Sequence, residues 1–284
     1  MEEAYVRKIT NEHFYLEIFI DPFNKRLRVE DYRGEVQMVI REAVEMSRQH
    51  KVEKLIFICR SEHYSLLMEH AFQCEAMVDY YFRGSAGFYF TKYFTNHRKE
   101  SEHWLTEDGI IDNVSKLPHL KLKQNIPAGY ELRKLNKEDG ERLALLYREV
   151  FQVYPTPLHD PEYIKKTIEN GTIYYGFICE GRIVSAASAE VNNSYANAEL
   201  TDCATVKNHR KFGLMKFILA KLEEALKEQG IFCAYSIARA QSFGMNAALH
   251  QLGYAYRGRL VNNCYIFNHL ENMNMWVKNL SMPS

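Results

Sequence analysis

The sequence predicts an α/β protein: a mixed sheet flanked by helices in the second half of the chain, preceded by a smaller α/β domain. Three observations predict it. Short apolar runs with strand-like alternation recur along the chain, and amphipathic helical segments fall between them. A basic, glycine-containing loop, Arg210-Lys211-Phe212-Gly213-Leu214-Met215, links one strand to one helix.

The bulk numbers set the frame. A chain of 284 residues is long enough for two ordinary domains. Lys+Arg and Asp+Glu are equal at 36 each, so no net field draws the chain to nucleic acid or to an anionic membrane, and neither is expected as a partner. No apolar run reaches the length of a membrane span, and Met1 to Thr10 lacks the apolar core of a signal peptide, so a cytoplasmic location is expected. The six cysteines are scattered and none forms a C-x-x-C pair. They read as small buried hydrophobes in a reducing compartment, and no metal site is expected.

The elements follow in order. His13 to Ile20 alternates as a strand and turns at Asp21-Pro22. A second strand falls at Arg26 to Val29, a helix from about Glu35 to His50 and a strand at Lys54 to Arg60. Ser61 is placed to cap a helix running to Phe72, and the aromatic stretch Tyr80 to Phe94 reads as a strand pair. This N-terminal domain is assigned residues 1–95. The charge run Asn96 to His103 reads as a solvated face, and residues 96–127 as a linker. The second domain, 128–284, reads β-α-α-β-β-β-α-β-α-β-β: a strand at Tyr130 to Leu135, helices from Asp139 and Asp160, a hairpin around Glu180-Gly181, a strand at Ala198 to Val206, a helix at Gly213 to Gln229, a strand at Ile231 to Ala238, a helix closed by Gly253, and strands at Tyr254 to Leu260 and Asn263 to Phe267. Tyr80-Tyr81-Phe82-Arg83-Gly84 and Tyr254-Ala255-Tyr256-Arg257-Gly258 follow similar strand–helix patterns, which a degenerate internal duplication would explain.

The chemistry concentrates between Glu199 and Glu224. A loop that opens a helix offers unpaired N–H groups and a positive helix end to an anionic phosphate. Gly213 admits close approach, and Lys207, His209, Arg210 and Lys211 add positive charge. In the strand upstream, Ala198-Glu199-Leu200-Thr201-Asp202-Cys203-Ala204-Thr205-Val206, alternation puts Glu199 and Thr201 on one face.

The run from Ala198 to Met215 resembles motif A of the GNAT acetyltransferases, whose loop reads Arg/Gln-x-x-Gly-x-Gly/Ala. Arg210 and Gly213 match, while Met215 stands where a small residue is usual. The resemblance spans about Ala128 to Phe267 and implies acetyl-CoA as cosubstrate. It implies Glu199 as general base, the Cys203 amide at the thioester carbonyl, and Cys203, Ala204, Thr205, Val206 and Arg210 to Met215 along the cofactor. Asn246, in a motif-B-like stretch, is carried over as a further cofactor residue, and the family's frequent tyrosine acid falls on Leu249. Tyr154 to Pro161, Tyr235 to Ala240, Ser242 to Asn246, Gly258 to Asn263 and Glu271 to Asn274 resemble the β-lysine N-acetyltransferase branch of that family. That implies a small-molecule amine acceptor, with acetylation of the side-chain amine of β-lysine to N6-acetyl-β-lysine, a compatible solute.

Such an acceptor carries two amines and one carboxylate. Arg239 is the expected fork for the carboxylate, and Asp160 and Asp202 are the expected partners of the non-reacting amine. Tyr235, Tyr254, Tyr256 and Tyr265 are alternatives for the acid that protonates the leaving thiolate. Other acceptors (a diamine, a polyamine, a protein lysine) and a non-catalytic CoA-binding module, to which Met215 and Leu249 point, stand as alternatives. A homodimer contact through the N-terminal domain is left open.

Overall fold

The computed structural model describes residues 4–120, 126–151, 156–266 and 269–281. The N-terminal half contains β1 (Tyr5–Thr10), β2 (Phe14–Asp21), β3 (Arg26–Gly34), α1 (Val36–Gln49), β4 (Lys54–Arg60), α2 (Tyr64–Glu69), β5 (Gln73–Phe82) and β6 (Ser85–Tyr93). Helices α3 (Asn96–Lys99) and α4 (Trp104–Ser115) follow. The C-terminal half contains β7 (Glu131–Leu135), α5 (Gly140–Val150), α6 (Pro161–Glu169), β8 (Ile173–Cys179), β9 (Arg182–Asn192), β10 (Asn197–Thr205), α7 (Leu214–Glu228), β11 (Cys233–Arg239), α8 (Phe243–Gln251), β12 (Ala255–Ile266) and β13 (His269–Asn279).

The thirteen strands hydrogen-bond in the order β1-β2-β3-β4-β6-β5-β12-β13-β11-β10-β9-β8-β7. Each half has one parallel pair, β3 with β4 and β10 with β11, and the rest are antiparallel. Apart from β7, which has no counterpart, the halves therefore repeat one strand order about the β5–β12 junction. The registers agree residue by residue. Superposing Arg28 on Glu199 brings Ile56 onto Tyr235, Thr91 onto Val277, Gln73 onto Ala255 and Ala76 onto Gly258. Ala76 and Gly258 are also each other's partners in the sheet, so a pseudo-two-fold axis passes through that contact.

Hydrogen bonds repeat about the axis. Asn197 Nδ2 donates to the Tyr81 carbonyl at 2.8 Å, and its counterpart Arg26 donates to the Asn263 carbonyl at 3.2 Å. The Arg83 amide donates to the Tyr195 carbonyl, and the Tyr265 amide donates to Asn24 Oδ1. The duplication is thus visible in topology, but not where the sequence suggested it. Tyr80 to Gly84 ends β5, whereas Tyr254 to Gly258 opens β12. The counterpart of Tyr254 is Phe72: each follows a residue with positive φ (Gly253 and Ala71), and each amide bonds the carbonyl five residues back.

Burial assigns the faces. Leu16, Ile18, Leu27, Val29, Leu55 and Phe57 pack outward against α1 and α2. Ala198, Leu200, Ala234 and Trp276 pack under α7 and α8. The inner faces meet each other, with Ile56, Ile58, Val78 and Tyr89 against Tyr235, Leu260, Met275 and Val277. Over β8 and β9 the inner face is covered by α5 and α6.

Four expectations need correction. Residues 96–127 are not a bare linker, since they hold α3 and α4, and Arg98 inside the charge run is fully buried against Glu53 and the Asn263 carbonyl. Ser61 makes no capping bond and sits in a 3-10 turn that leads into α2. The two final strands expected from Tyr254 to Phe267 are one strand, β12, bulged at Asn262, and β13 is an additional strand. Cys74 is exposed, while Cys59, Cys233 and Cys264 are buried thiols. The Glu180-Gly181 connection is a two-residue hairpin as expected, with both residues at positive φ. Tyr154, Pro155 and Phe267 lie outside the described residues.

Gly258 has φ +123°, and a Cβ there would lie 2.3 Å from the Glu75 carbonyl oxygen and 2.6 Å from Ala76 Cα. Both obstacles are backbone, so no rotamer change relieves them. Gly258→Ala is expected to cost about 2–4 kcal/mol of stability. Denaturant unfolding measures it, and an unchanged midpoint contradicts the assignment of this contact as the sheet junction.

Candidate active site

Pairing between β10 and β11 covers Asn197–Cys233, Ala198–Ala234 and Glu199–Tyr235, and then stops. Both strands run on, so they diverge and open a notch in the sheet. At its throat Ser236 Oγ donates to the Leu200 carbonyl at 2.7 Å. On the other edge of β10 the ladder with β9 jumps from Thr201–Ser188 to Ala204–Ala186. Asp202, at φ 53°, and Cys203 form this bulge. A bulge releases backbone groups from the ladder. Here it does so at the notch, where a carbonyl inserted between the strands would need a donor.

The far end of β10 leads into a 3-10 turn, Lys207–Phe212, and Gly213 at φ 65° opens α7. No side chain caps α7 and no acid stands in its first turn, so its first N–H groups face outward. Arg210 folds back to donate to the Thr205 carbonyl at 3.1 Å. Leu214 anchors the helix start in the core and Met215 packs against the same cluster. The bulky residue at the family's small position therefore turns away from the loop's open side. Phe212 stays exposed, its ring tilted against Tyr130 at 5.4 Å between centroids, and the Tyr130 hydroxyl bonds His209 Nδ1 at 2.7 Å.

Glu199 is half-buried on the inner face, opposite Glu190 across the β9–β10 pair and beside Tyr235 on β11. Desolvation pushes its carboxyl up to about 8, the Glu190 charge adds to the rise, and Arg28 pulls it back. Burial likewise raises Glu190, again opposed by Arg28. Two carboxyls placed side by side in this way disfavour being ionised together. Burial raises the Cys203 thiol far above its usual range, so its side chain stays neutral and inert. Asp202 is buried, lies close enough to Glu199 to raise it further, and accepts from Ser188 Oγ at 2.8 Å.

The remaining expected residues have structural work. Asp160 is the exposed N-cap of α6, accepting from the Glu162 amide at 3.0 Å. Arg239 has its fork on Glu271, through Nε to Oε2 and a terminal nitrogen to Oε1. The groups that would clamp a substrate carboxylate are thus engaged. Asn246 donates to the Arg239 and Ser242 carbonyls and accepts from Asn274 Nδ2 and Trp276 Nε1. That uses the full capacity of an amide, so its side chain fastens α8 to β11 and β13 and has none left for a cofactor. Of the four tyrosines, Tyr235 shares the face of Glu199, Tyr254 and Tyr256 pack in the core around Trp276, and Tyr265 stands edge-on to Phe23. The Asn-rich stretches at 262–263 and 271–274 are architectural: Asn272 ties Asn262 to Ser101 and Glu107, and Asn262 Nδ2 binds three carbonyls at the end of α3.

Asn246→Ala removes the acceptor for two buried donors and is expected to cost about 2–4 kcal/mol of stability. Thermal unfolding checks this, and a variant as stable as the parent excludes the fastening role.

The comparisons agree with this geometry. The model of the acetyltransferase (GNAT) domain matches residues 131–256. N-acetyltransferase YodP of Bacillus subtilis is 36% identical over 260 residues, covering 92% of this chain and 94% of its own. β-Lysine N(6)-acetyltransferase of Methanosarcina mazei is 36% identical over 226 residues, covering 72% and 83%. The enzyme of that name from Methanococcus maripaludis is 30% identical over 264 residues, covering 92% and 95%. With these matches beside a parallel strand pair that parts at a bulge and an uncapped helix start, the chain belongs to the GNAT acetyltransferases as an acetyl-CoA-dependent N-acetyltransferase.

Proposed function

We propose that this enzyme acetylates the side-chain amine of β-lysine, forming N6-acetyl-β-lysine as a compatible solute in the cytoplasm. The observation that carries the reading is the row of carboxylates at the acceptor side of the notch. Glu199, Glu190 and Asp202 suit an acceptor with two ammonium groups. Two relatives named as β-lysine N(6)-acetyltransferases, with 83% and 95% of their lengths covered, support it.

In this reading the N–H groups at the start of α7, with Arg210, Lys211, Phe212 and Gly213 around them, receive the pyrophosphate. The backbone of Cys203, Ala204, Thr205 and Val206 runs beside the pantetheine, with the Cys203 amide aimed at the thioester oxygen. An alkylammonium near pKa about 10.4 must lose a proton before it attacks. Glu199 takes that proton directly or through a water. The amine nitrogen bonds the acetyl carbon, the C–S bond breaks, and the departing thiolate is reprotonated. Tyr235 is the tyrosine assigned to that last step. Asp202 holds the second ammonium.

The base is active only when ionised. With Glu199 near about 8, kcat/KM should climb with pH up to that value. Glu199→Gln should lower kcat/KM by about 10²–10⁴ and remove the break near 8, leaving a rise that follows deprotonation of the amine itself. A pH profile followed by free-thiol release checks both, and a variant with the parental profile removes Glu199 as base. The acceptor is tested with β-lysine, lysine, ornithine and spermidine side by side. Turnover of β-lysine no better than of the others refutes the substrate assignment.

A further inference from the structure

We propose that the N-terminal half contributes the carboxylate-recognition group of the acceptor site, and that Arg28 is this group. This rests on the reading above that the acceptor is a diamino acid.

Strand register puts Arg28 there. Arg28 pairs with Ile56, whose side chain lies in the cluster that packs the two inner faces together, so Arg28 is on the inner face of the N-terminal half. Glu199 pairs with Tyr235, a member of the same cluster, so it is on the inner face of the C-terminal half. The two faces oppose each other, and Arg28 is close enough to lower both Glu199 and Glu190 electrostatically. Under the pseudo-two-fold, Arg28 occupies the position that Glu199 occupies in the other half.

The guanidinium is held but not used up. Its Nε donates to Glu30 Oε1 at 2.6 Å, and its central carbon lies 5.3 Å from the centre of the Phe19 ring. No acceptor among the described residues is bonded to its two terminal nitrogens, and the side chain keeps 27% of its surface exposed. An arginine fixed at Nε and stacked on a ring presents its terminal edge as a fork for a carboxylate. Arg239 offers no such edge, because Glu271 takes it.

Charge matching completes the argument. A β-amino acid with a side-chain amine brings two positive groups and one negative group. Glu199, Glu190 and Asp202 on the C-terminal face meet the positive groups, and Arg28 on the facing half meets the negative one. The distance between the faces then measures the length of the acceptor.

The test compares β-lysine with 1,4-diaminopentane, which is β-lysine without its carboxyl group. In the parent enzyme the ratio of kcat/KM for the two should be large. Arg28→Gln should collapse that ratio by about 10- to 100-fold, mainly through the KM for β-lysine, and Arg28→Lys should recover part of it. A ratio left unchanged in both folded variants overturns the proposal, because a merely structural arginine would depress both substrates together. Turnover of β-lysine by the parent enzyme decides the substrate reading separately. If the parent prefers another diamino acid, the same ratio is taken with that acid and its decarboxylated form, and Arg28 is judged there. A parent that acetylates only amines without a carboxyl group overturns both.

Discussion

The backbone contact between Gly258 and Ala76 is the constraint on which the rest of this molecule depends. It joins two half-sheets through their edge strands at one register and brings their inner faces together. Only a residue without a Cβ lets the strands come this close. The approach of Arg28 to Glu199 follows from that closure, because the two residues belong to different halves.

The two halves have diverged in chemistry while keeping their topology. In the C-terminal half the parallel pair parts, a bulge frees backbone at the opening, and a basic turn precedes an uncapped helix. In the N-terminal half β3 also bulges, but Gly34 and Glu35 lead directly into α1, with no intervening turn and with an acid at the helix start. That end repels phosphate. Beyond the last β3–β4 pair, Val29–Phe57, side chains tie the strands together: Tyr32 receives the Arg60 amide on its hydroxyl, and Arg60 bonds Asp31 and the Tyr195 hydroxyl from the other half. One half matches the acetyltransferase (GNAT) domain and the other lies against its inner face.

Much of the C-terminal half was legible because its signals are local. The hairpin at Glu180-Gly181, the strand before the basic turn and the helix after it each depend on residues a few positions apart. β13 was illegible for a physical reason: Glu271, Asn272 and Asn274 are buried, so the strand lacks apolar alternation, and their partners come from α4, α8, β11 and β12. Arg98 misled in the same way, as a core residue inside a run of charges. Arg28 carried no signal at all. An arginine in a short strand acquires meaning only when the register places it across from a carboxylate some 170 positions away in sequence.

The strand order also sets a schedule for synthesis. β13, made last among the described strands, lies in the interior of the sheet between β12 and β11. Until it inserts, the inner face of the earlier half, with Ile56, Ile58, Val78 and Tyr89, lacks the part of its cover that Met273, Met275 and Val277 supply. The nascent chain must therefore keep an apolar β-surface from self-association for most of its translation, a hazard of long-range β pairing. The same topology that brings the two inner faces together leaves their apolar interface incomplete until β13 is in place.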